Sequence, residues 1–310
     1  MSGSPLLTRE ACEALARART LGTSTLACSL DLGRSIDVVE VDAEGWGWRG
    51  RRFPHPAACR ERTIYAWDGR EFVPVQRYGT ALVKLVPTEW GAPTFEIDGV
   101  KMLPTAQVSP WDDARAKVEW VEPRGRVVLD TCGGLGYFAA QCLLGGAARV
   151  QSYEKNPDVT WLRRLNPWSP EGPGSTLPLD RLVLTPGDVA EAIAALPDAH
   201  FDAALHDPPR FALAGELYSQ AFYDQLARVL KPRARLFHYT GTPNRVSRGR
   251  DLPAEVAVRL ERAGLDAAPH GDGVRAVRRG GGARRRARGP GWQGAARGRR
   301  NRSRDGSGES

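Results

Sequence analysis

The hydrophobic period of the chain changes twice, once after residue 20 and again near residue 108. Residues 6–20, LLTREACEALARART, place leucine and alanine at helical spacing behind Thr8, whose hydroxyl can cap a helix, and predict a short amphipathic helix. The segments STLACSLDL, SIDVVEVDA, TIYAWDG, REFVPVQRY, TALVKLVPT and TFEIDGVKML then alternate or run β-branched and aromatic, with Asp, Gly and Pro turns between them. That pattern predicts short strands and a small β-rich N-terminal domain.

Beyond it, five apolar runs predict strands: RVVLD (126–130), ARVQSYE (148–154), RLVLT (181–185), FDAALH (201–206) and RARLFHYT (233–240). Helices are expected around 136–145, 157–165, 188–195, 215–230 and 253–263. Strands too continuously apolar for a wet face, alternating with helices, predict an α/β fold with a parallel sheet covered on both sides. The end of the chain is almost entirely Arg, Gly, Ala and Ser and cannot bury enough apolar surface to fold alone. Three parts result: a β-rich domain with a leading helix over 1–108, a Rossmann-like domain over 109–278, and a disordered basic tail over 279–310.

Composition adds three constraints. With 41% hydrophobic residues in 310, the chain can build a sizeable core. No apolar run approaches the roughly 20 residues of a membrane span, and the first residues lack a signal-peptide segment, so a soluble, cytoplasmic protein without a membrane partner is expected. Cys12, Cys28, Cys59, Cys132 and Cys142 include no CxxC pair and no zinc-like Cys/His spacing, which predicts reduced thiols and no metal.

The formal charge of +8 suggests a polyanion partner until it is located. From Val274 onward, twelve arginines face only Asp305 and Glu309, a surplus of ten, which leaves the rest of the chain at −2. The basic character belongs to the tail. Its composition fits both an RGG-like RNA-binding segment and a GC-rich gene translated past its usual end or in a shifted frame.

Candidate chemistry begins at VVLDTCGGLGYFAA, where strand, acid, glycine-rich turn and helix start follow directly. Small residues let a ligand approach the backbone, and a helix N-terminus offers unpaired N–H groups, as in nucleotide sites. Asp130, Thr131, Cys132, Gly134 and Gly136 are the candidate residues of this turn. Glu154 ends the second strand, where a carboxylate can accept ribose hydroxyls, and Asp188 follows the third, where it or its backbone can address an adenine amino group. HDPPRF then follows the fourth strand. The rigid Asp207-Pro208-Pro209 turn can direct a carboxylate and neighbouring carbonyls at a substrate nitrogen, orienting its lone pair.

This succession resembles the class I S-adenosylmethionine-dependent methyltransferases, in which D-x-[GC]-x-G-x-G, an acid ending strand two, GD and [DN]PP recur in this order. Asp130, Cys132, Gly134, Gly136, Glu154, Asp188 and Asp207 to Pro209 match, with Cys132 read as packing where glycine is commonest. A closer similarity over most of 6–265 is to archaeal-type predicted methyltransferases with a β-rich N-terminal domain, carried by SLDLGRS, KLVP, DTCGGLGY, LNPWS, HDPPRFALAGELYS, LFHYTG and RGRD. The resemblance implies S-adenosyl-L-methionine as cofactor and methyl transfer as reaction.

HDPPRF also looks like the DPP[KR]F stretch of some ribosomal RNA base methyltransferases. Those that modify cytosine C5 need a cysteine after the fifth strand, where this chain reads FHYTG, so transfer to a nitrogen or oxygen is favoured. RNA is the expected substrate class. Arg210, Tyr218, His238 and Tyr239 are candidates for the substrate wall, although a strand-end histidine such as His206 or His238 also serves structural hydrogen bonds.

The three arginines of RVSRGRD (245–251) suit phosphate or a solvated loop. Trp46, Trp48, Arg49, Arg51 and Arg52 suit RNA or ordinary β packing. Two other classes compete with methyl transfer. One is aminopropyl transfer as in spermidine synthases, which the Pro-Pro turn and Arg210 oppose; the other is an inactive fold used for binding, which the intact acids oppose.

Overall fold

Seven strands form the sheet of the second half, and the computed structural model describes residues 3–57, 59–210, 214–241 and 251–280. They are β1 (Val127–Asp130), β2 (Arg149–Glu154), β3 (Leu182–Pro186), β4 (Phe201–His206), β5 (Leu230–Tyr239), β6 (Leu265–His270) and β7 (Gly273–Arg278). Their order is β3-β2-β1-β4-β5-β7-β6, parallel from β3 to β5, with β7 antiparallel to both neighbours. The β6–β7 hairpin is absent from the sequence reading: Pro269 and the arginines of GVRAVR obscure its alternation, although Val274 and Ala276 point into the core.

The helices are α1 (Arg9–Leu21), α2 (Pro110–Val121), α3 (Tyr137–Leu144), α4 (Pro157–Leu165), α5 (Val189–Ala192), α6 (Gln220–Val229) and α7 (Leu252–Arg262). Thr8 caps α1 by accepting from the Ala11 amide, as its hydroxyl predicts. The helix expected over 215–230 starts as a 3-10 turn, Gly215–Tyr218, and becomes α-helical only after the Ser219 cap. The apolar pattern does not reveal α2, whose PWDDARAKVEWV carries five charges in twelve residues. It forms because Ser109 caps it, Pro110 opens it and Ala114, Val118 and Val121 share one buried face.

The N-terminal strands form three small antiparallel sheets. Two of their hairpins turn at Arg49-Gly50 and Asp98-Gly99, all four residues with positive φ, a geometry that matches strand twist and favours glycine at the second position. Trp46 is fully buried and stacks on Phe53 at 4.8 Å, while Trp48 is buried and donates its Nε1–H to Asp37 at 2.7 Å. Both tryptophans are packing residues. A second apolar cluster joins Ile64, Leu85 and Phe95 of these sheets to Leu135, Tyr137, Val159 and Leu162 around α3 and α4. Residues up to Gly280 thus form one compact unit, with the glycine-rich turn packed against the β-rich half.

Two expectations need correction. Cys12 and Cys59 are joined as a disulfide, with Cα atoms 6.2 Å apart, and only Cys28, Cys132 and Cys142 are free. The partners lie 47 residues apart and meet because α1 packs beside the loop before Tyr65, a juxtaposition that cysteine spacing cannot reveal. At the other end, Arg279, assigned to the tail, donates to Asp266 at 2.8 Å. The rest of the tail, 281–310, and the arginines of RVSRGRD lie outside the described residues. Among the described residues no helix is long and apolar enough to cross a membrane, and no group of three His, Cys, Asp or Glu side chains could hold a metal.

Candidate cofactor and acceptor site

The chain runs outward from β1 to β2 and β3, then returns to lay β4 on the other side of β1. The strand order reverses there, and open α/β sheets bind ligands at such a point, beyond the carboxyl ends of the strands. Asp130 ends β1 and His206-Asp207 ends β4, so the glycine-rich turn and the Asp-Pro-Pro turn flank one crevice; the Thr131 amide donates across it to the Leu205 carbonyl at 3.1 Å.

On the cofactor side, Asp130 is fully buried. Its Oδ2 accepts from the Ser152 hydroxyl at 2.8 Å, its Oδ1 has no partner, and burial raises the carboxyl to about 7. Gly134 and Gly136 both have positive φ, the conformation for which glycine is needed, and Gly136 starts α3. A Cβ on Gly134 would touch only the Phe95 ring, at 3.6 Å. Glu154 binds this turn directly: Oε2 accepts from the Gly134 amide at 2.9 Å and Oε1 from the Asn156 amide at 2.8 Å. Burial raises its pKa, and the two amide bonds oppose the shift. Each oxygen keeps a second lone pair for a ligand hydroxyl.

Asp188 caps α5 through the Ala190 amide at 2.8 Å and meets Lys155 at 3.2 Å, so its carboxylate is already engaged. Burial and the nearby Glu154 charge push the Cys132 thiol well above its ordinary value, which disfavours a thiolate nucleophile.

The acceptor side contains groups absent from the sequence reading. Lys117 of α2 is buried, pairs with Asp113 at 2.7 Å and reaches Asp207 Oδ2 at 3.6 Å, and its ammonium lies 4.3 Å from the Tyr239 ring. The carboxylates around it hold Lys117 above its usual value despite burial. Asp207 is raised to about 6 by burial, with Lys117 opposing the shift and Asp113 and Asp272 adding to it. Two carboxylates thus flank one ammonium, and the charge of Asp272 also acts on it. Pro208 is buried, and the Pro209 carbonyl accepts from the Tyr218 hydroxyl at 3.1 Å, which fixes the turn.

Of the candidate wall residues, Tyr239 is half-buried beside Lys117 and Arg210 is exposed. Tyr218 and His238 are buried and lie behind the crevice. The Tyr239 carbonyl accepts from His238 Nδ1–H at 2.8 Å, and Nε2 accepts from the Tyr223 hydroxyl at 2.9 Å, so both ring nitrogens are committed. Burial and neighbouring His206 lower its pKa well below the ordinary value. With both nitrogens bonded and the residue buried, His238 has no free ring nitrogen to offer a substrate. His206 is similar: Thr131 Oγ1 lies 2.8 Å from Nδ1, the Leu217 carbonyl 2.9 Å from Nε2, and burial lowers the ring to about 4.

The architecture is therefore a Rossmann-like α/β sheet preceded by a β-rich segment. Spermidine synthases share it. The spermidine synthase solved with the transition-state analogue AdoDATO superposes with a TM-score of 0.51 at 14% identity, over 66% of this chain and 72% of that one. The enzyme from Thermotoga maritima gives 0.50 at 14% identity, over 66% and 71%.

In sequence, an uncharacterised protein of Methanocaldococcus jannaschii is 45% identical over 183 residues, 59% of this chain and 61% of that one. A polyamine aminopropyltransferase of Streptomyces coelicolor is 32% identical over 156 residues, 49% of this chain and 27% of that one. The matches span less than two thirds of either relative. No family model matches the chain.

Proposed function

We propose that the protein is an S-adenosyl-L-methionine-dependent methyltransferase acting on a nitrogen of nucleic acid, with RNA the favoured substrate. One observation carries the proposal: Asp207 stands at the β4 end of the crevice whose β1 and β2 ends bear the glycine-rich turn and Glu154. Gly134 leaves its outer side open, and Glu154 retains lone pairs beside it, so the residues fit a nucleoside with its ribose on Glu154 and its adenine at the backbone near Asp188. When bound, the cofactor supplies a sulfonium-activated methyl group.

Ionised Asp207 accepts a hydrogen bond from the acceptor N–H and turns the nitrogen lone pair toward the methyl carbon. Pro208 and Pro209 hold it there. Orientation and electrostatics lower the barrier without a strong base. The preference for RNA rests on the DPPRF stretch and the added β-rich part. Tritiated S-adenosylmethionine given to purified protein with RNA, DNA, protein and small-molecule fractions tests it. Label is expected in RNA, and label confined to the protein or small-molecule fractions would overturn the substrate assignment.

A second reading is aminopropyl transfer from decarboxylated S-adenosylmethionine to an amine. The surplus of carboxylates at Asp113, Asp207 and Asp272 around Lys117 favours it, because a cationic acceptor is attracted there. Calorimetric titration with both cofactors decides: tighter binding of the decarboxylated form selects this reading, and tighter binding of S-adenosylmethionine selects methyl transfer.

A further inference from the structure

LNPWS and Arg163, two residues before it, have no part in the site so far. Arg163 lies in the last turn of α4, where a basic residue ordinarily meets solvent, yet it is fully buried. Glu171 accepts from its Nε at 2.9 Å and its Nη2 at 3.0 Å, a forked ion pair. The third nitrogen, Nη1, is buried without a hydrogen-bond partner.

This guanidinium lies against the glycine-rich turn. A Cβ on Gly136 would stand 2.7 Å from its Cζ and Nη2, and one on Gly133 would stand 2.9 Å from Nη1 and 2.3 Å from Ser152 Oγ. Gly133 has no positive φ, so crowding by Arg163 and Ser152, and not backbone conformation, demands glycine there. The same Ser152 hydroxyl donates to Asp130, whose carboxylate feels the Arg163 charge. The loop after α4 holds the turn twice more: Ser169 Oγ donates to the Leu135 carbonyl at 2.7 Å, and Asn166 donates to the Tyr137 hydroxyl at 2.9 Å.

We propose that Arg163 is a positioning residue for the cofactor turn: anchored by Glu171, its guanidinium fills the space left by the missing side chains of Gly133 and Gly136 and supports the turn from below. The proposal rests on the cofactor reading above. It also accounts for LNPWS, whose serine bonds the Leu135 carbonyl of the turn and whose asparagine bonds the Tyr137 hydroxyl at the start of α3.

The test is a double-mutant cycle on the full chain, reading S-adenosylmethionine affinity by calorimetry and unfolding by heat. Arg163→Ala weakens binding at least 10-fold, with unchanged far-ultraviolet circular dichroism. Gly136→Ala also weakens binding, but its added effect on the Arg163→Ala background is smaller than on wild type, because the atoms it strikes are gone. A merely structural role for Arg163 would give independent effects that multiply, and that result, or unchanged affinity in Arg163→Ala, would overturn the proposal. If Arg163→Ala does not fold, Glu171→Gln frees the guanidinium while keeping the bulk, and a severalfold loss of affinity is expected; no loss counts against the proposal. Failure of the wild type to bind S-adenosylmethionine would sink the cofactor reading alone, and the same cycle in melting temperature would still decide whether Gly136 and Arg163 are coupled.

Discussion

The two sides of the crevice are built by different means. On the cofactor side, Glu154 and Asp188 accept from backbone amides, so local hydrogen bonds hold each carboxylate close to its own strand end. On the acceptor side, Asp207 depends on a buried ammonium from a distant helix, shared with Asp113. Backbone amides can neither titrate nor be substituted away, whereas a lysine can be. The ionisation of Asp207 should therefore respond to substitution of its lysine, whereas the placement of Glu154 and Asp188 rests on main-chain groups that no side-chain change removes.

The largest expected effect is at Lys117. Replacement by methionine leaves the partly exposed carboxylates of Asp113 and Asp207 without their buried partner, at a cost of about 3 kcal/mol at pH 7 by thermal unfolding, the low end for a broken buried pair. Transfer falls in the wild type as pH drops through about 6 and Asp207 takes up a proton, and in Lys117→Met that limb moves to higher pH. A limb left in place would mean that Lys117 does not set the ionisation of Asp207.

Next comes Asp207→Ala, for which turnover on labelled RNA falls about 100-fold through lost orientation. Asp130→Asn is smaller and opposite in sign. Its folded pKa of about 7 exceeds the ordinary 3.8, so the folded state holds a proton that the unfolded chain releases between those values, and wild-type stability drops as pH rises across that window. Asparagine removes the drop. Asp130→Asn is expected to be more stable than wild type at pH 8, by about 2 kcal/mol after allowing for relaxation and read as a higher melting temperature, and to match it below pH 3.8. Equal melting at pH 8 would show that Asp130 is not strained. The smallest is Thr8→Ala, remote from both sides, which costs about 1 kcal/mol through the lost α1 cap and leaves cofactor affinity unchanged.

The same contrast explains what the sequence made legible. Asp130, Gly134, Gly136 and Glu154 belong to a strand–turn–helix–strand run whose pattern is local, so the sheet and its glycine-rich turn could be read directly. The acceptor side draws Lys117 and Asp113 from α2, Asp207 from the end of β4, Tyr239 from the end of β5 and Asp272 from the turn before β7, which only tertiary structure brings together. A signal for α2 was present in the Ser109-Pro110 start and the spacing of Ala114, Val118 and Val121. The strand-end position of His238 does not reveal that Tyr223 and the Tyr239 carbonyl occupy both its nitrogens. Arg163 sits in WLRRL, where a basic pair at a helix end looks like surface; only the fold shows it beneath the glycines.

Calorimetric titration of S-adenosylmethionine into the wild type, Glu154→Ala and Asp207→Ala tests the division of labour most directly. Binding is predicted in the wild type, loss of at least 10-fold in Glu154→Ala, and a change under about 2-fold in Asp207→Ala. No binding to the wild type, or an equal loss in both variants, would contradict it.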